Sequence, residues 1–138
     1  MKILFLDIDG VLNQLQKDYI DETCVANLAV LVHKLNAKIV LSSTWRFGFM
    51  NDFSYCTPQI QHLIKVFQSF NLQIWSRTGV SLHTRSKEIQ SYLREHPDDY
   101  IILDDDVSLF SNIKNLYLVN YKTGLTSKDV KKVLKKVK

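Results

Sequence analysis

The chain has 138 residues, 46% of them hydrophobic, and a formal net charge of +4. That length suits one domain able to bury a core, so residues 1–138 are expected to form a single unit. No apolar run approaches the ~20 residues of a membrane span, and the N-terminus lacks a signal-peptide pattern, which points to a soluble, cytoplasmic protein with no membrane partner.

Residues 3–8 read as a first strand that leads into Asp7-Ile8-Asp9-Gly10. Side chains alternate between faces along a strand, so Asp7 and Asp9 point the same way and Ile8 turns into the packing. Two carboxylates that close raise each other's pKa unless a cation or proton lies between them. Mg²⁺ is a natural partner for such oxygens, and Gly10 allows the sharp turn that follows.

A helix over residues 22–35 carries Val25, Leu28, Ala29, Leu31, Val32 and Leu35 on one face. The second strand, residues 38–41, runs into Ser42-Ser43-Thr44-Trp45-Arg46. Arg46 either grips a second phosphate with its planar fork or pairs with a structural acid. The aromatic stretch at 47–55 flanks this strand end; packing under a loop is expected of it, with stacking on a base as the alternative. A second helix spans residues 60–70, a third strand residues 72–75, and a third helix residues 85–94, with Arg85 at its start and Ile89, Tyr92 and Leu93 on its apolar face. The fourth strand, residues 100–103, delivers Asp104-Asp105-Asp106, and residues 116–119 form the fifth.

Beyond Thr126 the chain places Val130, Val133, Leu134 and Val137 at helical spacing with six lysines around them, and Thr126 with Asp129 forms a capping box. A docked helix with a solvated lysine face is expected; an electrostatic footprint for nucleic acid is the alternative. Cys24 and Cys56 show no metal or redox spacing and are expected to be reduced. His33, His62, His83 and His96 show no ligand spacing either.

Strand and helix thus alternate, which predicts an α/β sandwich with a mainly parallel five-stranded sheet and helices on both faces. Ligands of such sheets gather at the carboxyl ends of strands. Those ends supply an acid pair, a hydroxyl cluster and an acid run, the parts needed for phosphoryl transfer around a divalent cation. Asp7 is then the nucleophile and Asp9 the general acid and base. Ser42 donates to a phosphoryl oxygen, Arg85 balances its charge, and the acid run completes the metal site.

Asp7-Ile8-Asp9-Gly10-Val11, Ser42 after its apolar strand, Arg85 at a helix start and Asp104-Asp105 resemble, in order, the four motifs of the haloacid dehalogenase superfamily of phosphatases. With Val-Leu-Ser-Ser-Thr-Trp-Arg, Glu88-Ile89 and Gly124-Leu125-Thr126, the chain is similar to a compact subgroup whose related domains occur in multidomain RNA-repair proteins. The resemblance implies a Rossmann-like core and a phosphomonoesterase that works through an aspartyl-phosphate. It also implies Mg²⁺ held by Asp7, the Asp9 carbonyl and a fourth-motif acid, for which the pattern favours Asp105, with Asp104 beside it and Asp106 as a lesser choice. The basic residue is Arg85, with Lys87 as its competitor. Caps in this superfamily follow the first or third strand, and here residues 11–21 and 76–84 are too short to fold as one. An open site, closed only by residues 13–19 or by substrate, suits a nucleic-acid end or another large phosphorylated substrate. The rival readings are a phospho-acceptor signalling module and a catalytically weak nucleic-acid-binding domain.

Overall fold

The computed structural model describes residues 2–14, 17, 19–79, 84–111 and 113–137. The elements in chain order are β1 (Lys2–Leu6), α1 (Glu22–Leu35), β2 (Ala37–Leu41), α2 (Pro58–Ser69), β3 (Ile74–Arg77), α3 (Arg85–Glu95), β4 (Asp99–Asp104), β5 (Leu116–Leu118) and α4 (Ser127–Val137). Short 3-10 turns occupy Thr44–Gly48, Phe53–Tyr55 and Val107–Leu109.

The five strands form one parallel sheet in the order β3-β2-β1-β4-β5. Chain order therefore reverses beside β1, and the crevice between the ends of β1 and β4 is the switch point of this Rossmann-like α/β fold. The alternation of strand side chains divides the core. Leu4, Leu6, Ile39, Leu41, Ile101 and Leu103 pack under α1, α2 and α4. Ile3, Phe5, Val40 and Ile102 meet Ile89 of α3 together with Tyr92, Leu93, Phe110 and Ile113. Three helices thus cover one face, while α3 and the β4–β5 connection cover the other. No cap domain is inserted, since the links from Leu6 to Glu22 and from Arg77 to Arg85 are too short.

The ends of α1 follow from local chemistry. Asp21 caps its start by accepting from the Thr23 amide, and Asn36 closes it in the left-handed conformation at φ 51°. β1 and β3 depart from the expected bounds. β1 ends at Leu6, because the Val11 and Leu12 amides both turn back onto the Ile8 carbonyl; Ile8 is buried, as its alternation predicts. β3 starts at Ile74 rather than at residue 72, because Leu72 still donates to Phe67 O and belongs to the closing turn of α2, where Asn71 takes φ 57°. Its register then shifts. Ile39 pairs with Ile74 but Val40 with Ser76, which leaves Trp75 as an extra, bulged residue on an edge strand.

α4 docks through buried Val130 and Val133, with Leu134 and Val137 packed beside them, and the Thr126–Asp129 capping box closes in both directions. Lys128, Lys131, Lys132, Lys135 and Lys136 face solvent; Lys138 lies outside the described residues. Among those residues no helix is long and apolar enough to cross a membrane.

Candidate active site

β1, β2 and β4 end side by side, and each delivers a polar residue at its tip. The Asp7 amide donates to Leu103 O and the Ser42 amide to Leu6 O, both at 3.0 Å, so the ladder carries on for one residue beyond the strands. That extension fixes the backbones of Asp7 and Ser42 beside Asp104, which is itself the last residue of β4. One carboxylate oxygen each from Asp7, Asp104 and Asp105 lie within 4.8 Å of one another. Arg85, at the start of α3, reaches in from the side, with Nη1 2.6 Å from Asp104 Oδ2 and 3.4 Å from Asp7 Oδ1.

Three acids here share one guanidinium, and the electrostatics record the imbalance. Burial, then the Asp104 charge, push the Asp7 carboxyl up to about 8 against the opposing pull of Arg85. Burial also raises Asp104, although Arg85 and the Asp106 amide work the other way. For Arg85 burial opposes the charge, but Asp104 and Asp7 outweigh it and the pKa is raised. Hard oxygen donors with too little positive charge among them suit a divalent cation such as Mg²⁺. Ser42 points to the same conclusion. It is fully buried, and its Oγ has no hydrogen-bond partner, a costly state unless a ligand supplies one.

Asp9 stands apart from this cluster. Its Oδ2 accepts from Trp45 Nε1 at 3.0 Å and its Oδ1 from Asn13 Nδ2 at 3.2 Å, while Asn13 Oδ1 accepts from the Gly10 amide at 2.9 Å. Gly10 has φ +82°, and a Cβ there would overlap the Asp105 carboxylate. Glycine is therefore needed twice, for the turn and for the approach of Asp105.

Geometry separates the neighbouring residues between which the sequence leaves a choice. Arg85 enters the cluster, whereas Lys87 is exposed. Asp104 and Asp105 join it, but Asp106 is spent on capping the Val107–Leu109 turn, accepting from the Ser108 amide and hydroxyl, which hold its pKa low. Arg46 takes the structural course. It is buried with Nη2 2.7 Å from Glu88 Oε2, and its Nη1 donates to Ser43 O at 2.9 Å. The expectation that the 47–55 aromatics pack under a loop fails for Phe47, Phe53 and Tyr55, which are exposed along with Met50; only Phe49 packs against the core. Phe47, Phe53 and Tyr55 lie on two short 3-10 turns rather than on an element with a core-facing side. Among the histidines, His33, His62 and His96 are exposed. His83 lies outside the described residues, as do Leu15, Gln16 and Asp18 of the segment expected to close the site. Cys24 and Cys56 are free and buried, and burial pushes the Cys24 thiol up to about 11, which suits an inert group.

Asn13 and Glu88 are polar residues to which the sequence reading gives no role. Asn13 has a local signal, since an asparagine three residues after a turn glycine can accept from that glycine's amide. Glu88 belongs to the Glu88-Ile89 pair of the resemblance, but nothing local marks its partner, 42 positions away.

A family model described as "HAD domain in Swiss Army Knife RNA repair proteins" matches residues 3–130. No curated protein matches the chain.

Proposed function

The chain belongs to this family of haloacid dehalogenase (HAD) domains, and from that premise we propose that it is a Mg²⁺-dependent phosphomonoesterase acting through an aspartyl-phosphate on Asp7. The observation that carries the reading is the meeting of Asp7, Asp104 and Asp105 within 4.8 Å, next to a buried and partnerless Ser42 hydroxyl.

Asp7, Asp105 and Asp104 would hold the cation, together with the Asp9 carbonyl that the family pattern assigns. When bound, it keeps Asp7 ionised and offsets the negative charge of the phosphoryl oxygens. In the first step an Asp7 carboxylate oxygen attacks phosphorus, and the P–O bond to the leaving alcohol breaks as Asp9 gives that oxygen a proton. Asp9 then takes a proton from water, whose oxygen attacks the same phosphorus. Inorganic phosphate leaves and the Asp7 carboxylate is restored. Ser42 Oγ donates to a non-bridging oxygen, which gives its hydroxyl the missing partner. Arg85 faces the same charge, steadied by Asp104 at 2.6 Å. Trp45 Nε1 and Asn13 Nδ2 orient the Asp9 carboxyl for its proton transfer.

The family description names RNA repair, and an uncapped site admits a bulky phosphate ester. A phosphorylated nucleic-acid end is therefore the substrate we propose. Hydrolysis of an aryl phosphate with Mg²⁺, lost in Asp7→Asn and accompanied by acid-stable labelling of Asp7 from a labelled phosphate ester, is the expected result. Turnover that survives Asp7→Asn would contradict the mechanism.

A further inference from the structure

A cleft of about 750 Å³ lies outside the acid cluster, between the β3 edge and α3, lined by Trp75, Ser76, Arg77, Lys87, Tyr92 and Arg94, among others. We propose that this cleft is the track for a single-stranded nucleic acid whose terminal phosphate enters the site; this inference rests on the phosphatase reading and names its substrate class.

Trp75 is the first argument. The bulge in β3 turns it out of the sheet, and the residue is 56% exposed despite its large apolar side chain. Bulges commonly re-aim one side chain. Lys38 Nζ sits 3.6 Å from the ring centroid, so a cation is already held against an aromatic face, the pairing that single-stranded nucleic acid uses for stacking beside phosphate. Tyr92 and His96 add a second aromatic pair to the wall, their centroids 4.5 Å apart.

Charge is the second argument. The cleft presents Arg77, Lys87 and Arg94 against Glu88 and Glu95. Glu88 is neutralised by Arg46, which leaves Glu95 against three cations. Arg77 Nη1 donates to the Arg46 carbonyl at 2.9 Å, which holds the side chain at the rim of the cleft. Among the described residues no hydrogen bond or ion pair engages the Lys87 or Arg94 side chains.

Position is the third. Lys87 lies two residues from Arg85, the cation of the acid cluster, while Arg94 and His96 mark the far end of α3. The 11 residues of α3 span roughly 16 Å at 1.5 Å per residue. Arg77 ties the near wall to the Thr44–Gly48 turn, which also carries Trp45 and its bond to Asp9. A strand whose phosphate sits by Asp7 can thus run along α3 with one base on Trp75.

The test uses the full chain with Asp7→Asn in the background, so that ligand is not consumed. Fluorescence anisotropy would compare 3′- and 5′-phosphorylated tetranucleotides, the matching mononucleotides and a phosphopeptide. Trp75→Ala is expected to weaken tetranucleotide binding about tenfold and mononucleotide binding little, and Trp75→Phe to retain most of the affinity. Arg94→Ala is expected to reduce the salt slope by about one. In the active chain all three leave aryl phosphate turnover unchanged. Equal tetranucleotide affinity with and without Trp75, or a preference for the phosphopeptide, would overturn the track. Absence of aryl phosphate turnover in the wild-type chain with Mg²⁺ would remove the phosphatase reading instead, and the binding arm does not depend on that result.

Discussion

Two buried charge assemblies meet at α3, one helical turn apart, and they are built to opposite rules. Arg46 and Glu88 are matched one to one at 2.7 Å, and Arg46 Nη1 donates to Ser43 O and, at 3.4 Å, to Ser42 O, while Nε is buried without a partner. Around Arg85 three acids crowd one guanidinium, and the Asp7 carboxyl is driven up to about 8. The first assembly is balanced in charge. It ties the backbone after β2 to the start of α3 and so fixes Ser42 relative to Arg85. The second is short of positive charge and keeps an unpaired hydroxyl beside it. Buried charge in the same few turns of chain therefore forms a brace where it is balanced and, where it is not, the cluster we propose as the cation site.

Breaking the brace should have the largest effect. Glu88→Ala strands the Arg46 charge in the interior and is expected to cost about 3–5 kcal/mol by urea denaturation. Arg46→Met combined with Glu88→Leu should recover much of that stability yet leave activity low, because Ser42 and Arg85 lose their common tie. At the open site Ser42→Ala should do the reverse. It removes an unsatisfied hydroxyl, so the unfolding midpoint should hold or rise, while kcat falls about 10²-fold for want of a phosphoryl donor. Trp45→Phe deletes one of the two bonds that orient Asp9 and should lower kcat about tenfold, with Asp9→Asn as the inactive reference. Asp106→Ala has the smallest expected effect. It forfeits a turn cap worth about 0.5–1 kcal/mol and leaves the Mg²⁺ requirement unchanged. An equal loss of Mg²⁺ response in Asp106→Ala and Asp105→Ala would contradict the ligand assignment.

The strands of the open site were easy to read, because an apolar run ending in acids or hydroxyls shows both the strand and its tip. The α1 bounds matched for the same reason, with Asp21 before it and Asn36 after it as local caps. Partners across the fold were not legible. Nothing near Arg46 pointed to Glu88, and nothing near Trp45 pointed to Asp9, 36 positions away. Asp106 stood only as a lesser choice beside Asp105 and Asp104, and the local Ser108 bonds give it a different task. The bulge at Trp75 arises from pairing with β2 and leaves no mark on the order of residues in β3 itself.

The charge deficit at Asp7 is the central claim, and stability against pH reads it directly. A carboxyl raised from its ordinary value of 3.8 to about 8 favours the fold fully below the lower value, and that contribution is lost as pH rises through the upper one. Asp104 acts in the same direction. The lowered carboxyls Asp21, Asp52 and Asp106 titrate below that window and do not mask it. Thermal unfolding of the wild-type chain and of Asp7→Asn, followed from pH 5 to pH 9 with and without Mg²⁺, is the decisive measurement. Without metal, the wild-type midpoint should fall toward pH 8 more steeply than that of Asp7→Asn. Mg²⁺ should restore it at pH 8, less so at pH 5 where protons compete, and should do little for the variant. Identical pH profiles and identical Mg²⁺ responses in the two proteins would contradict the account.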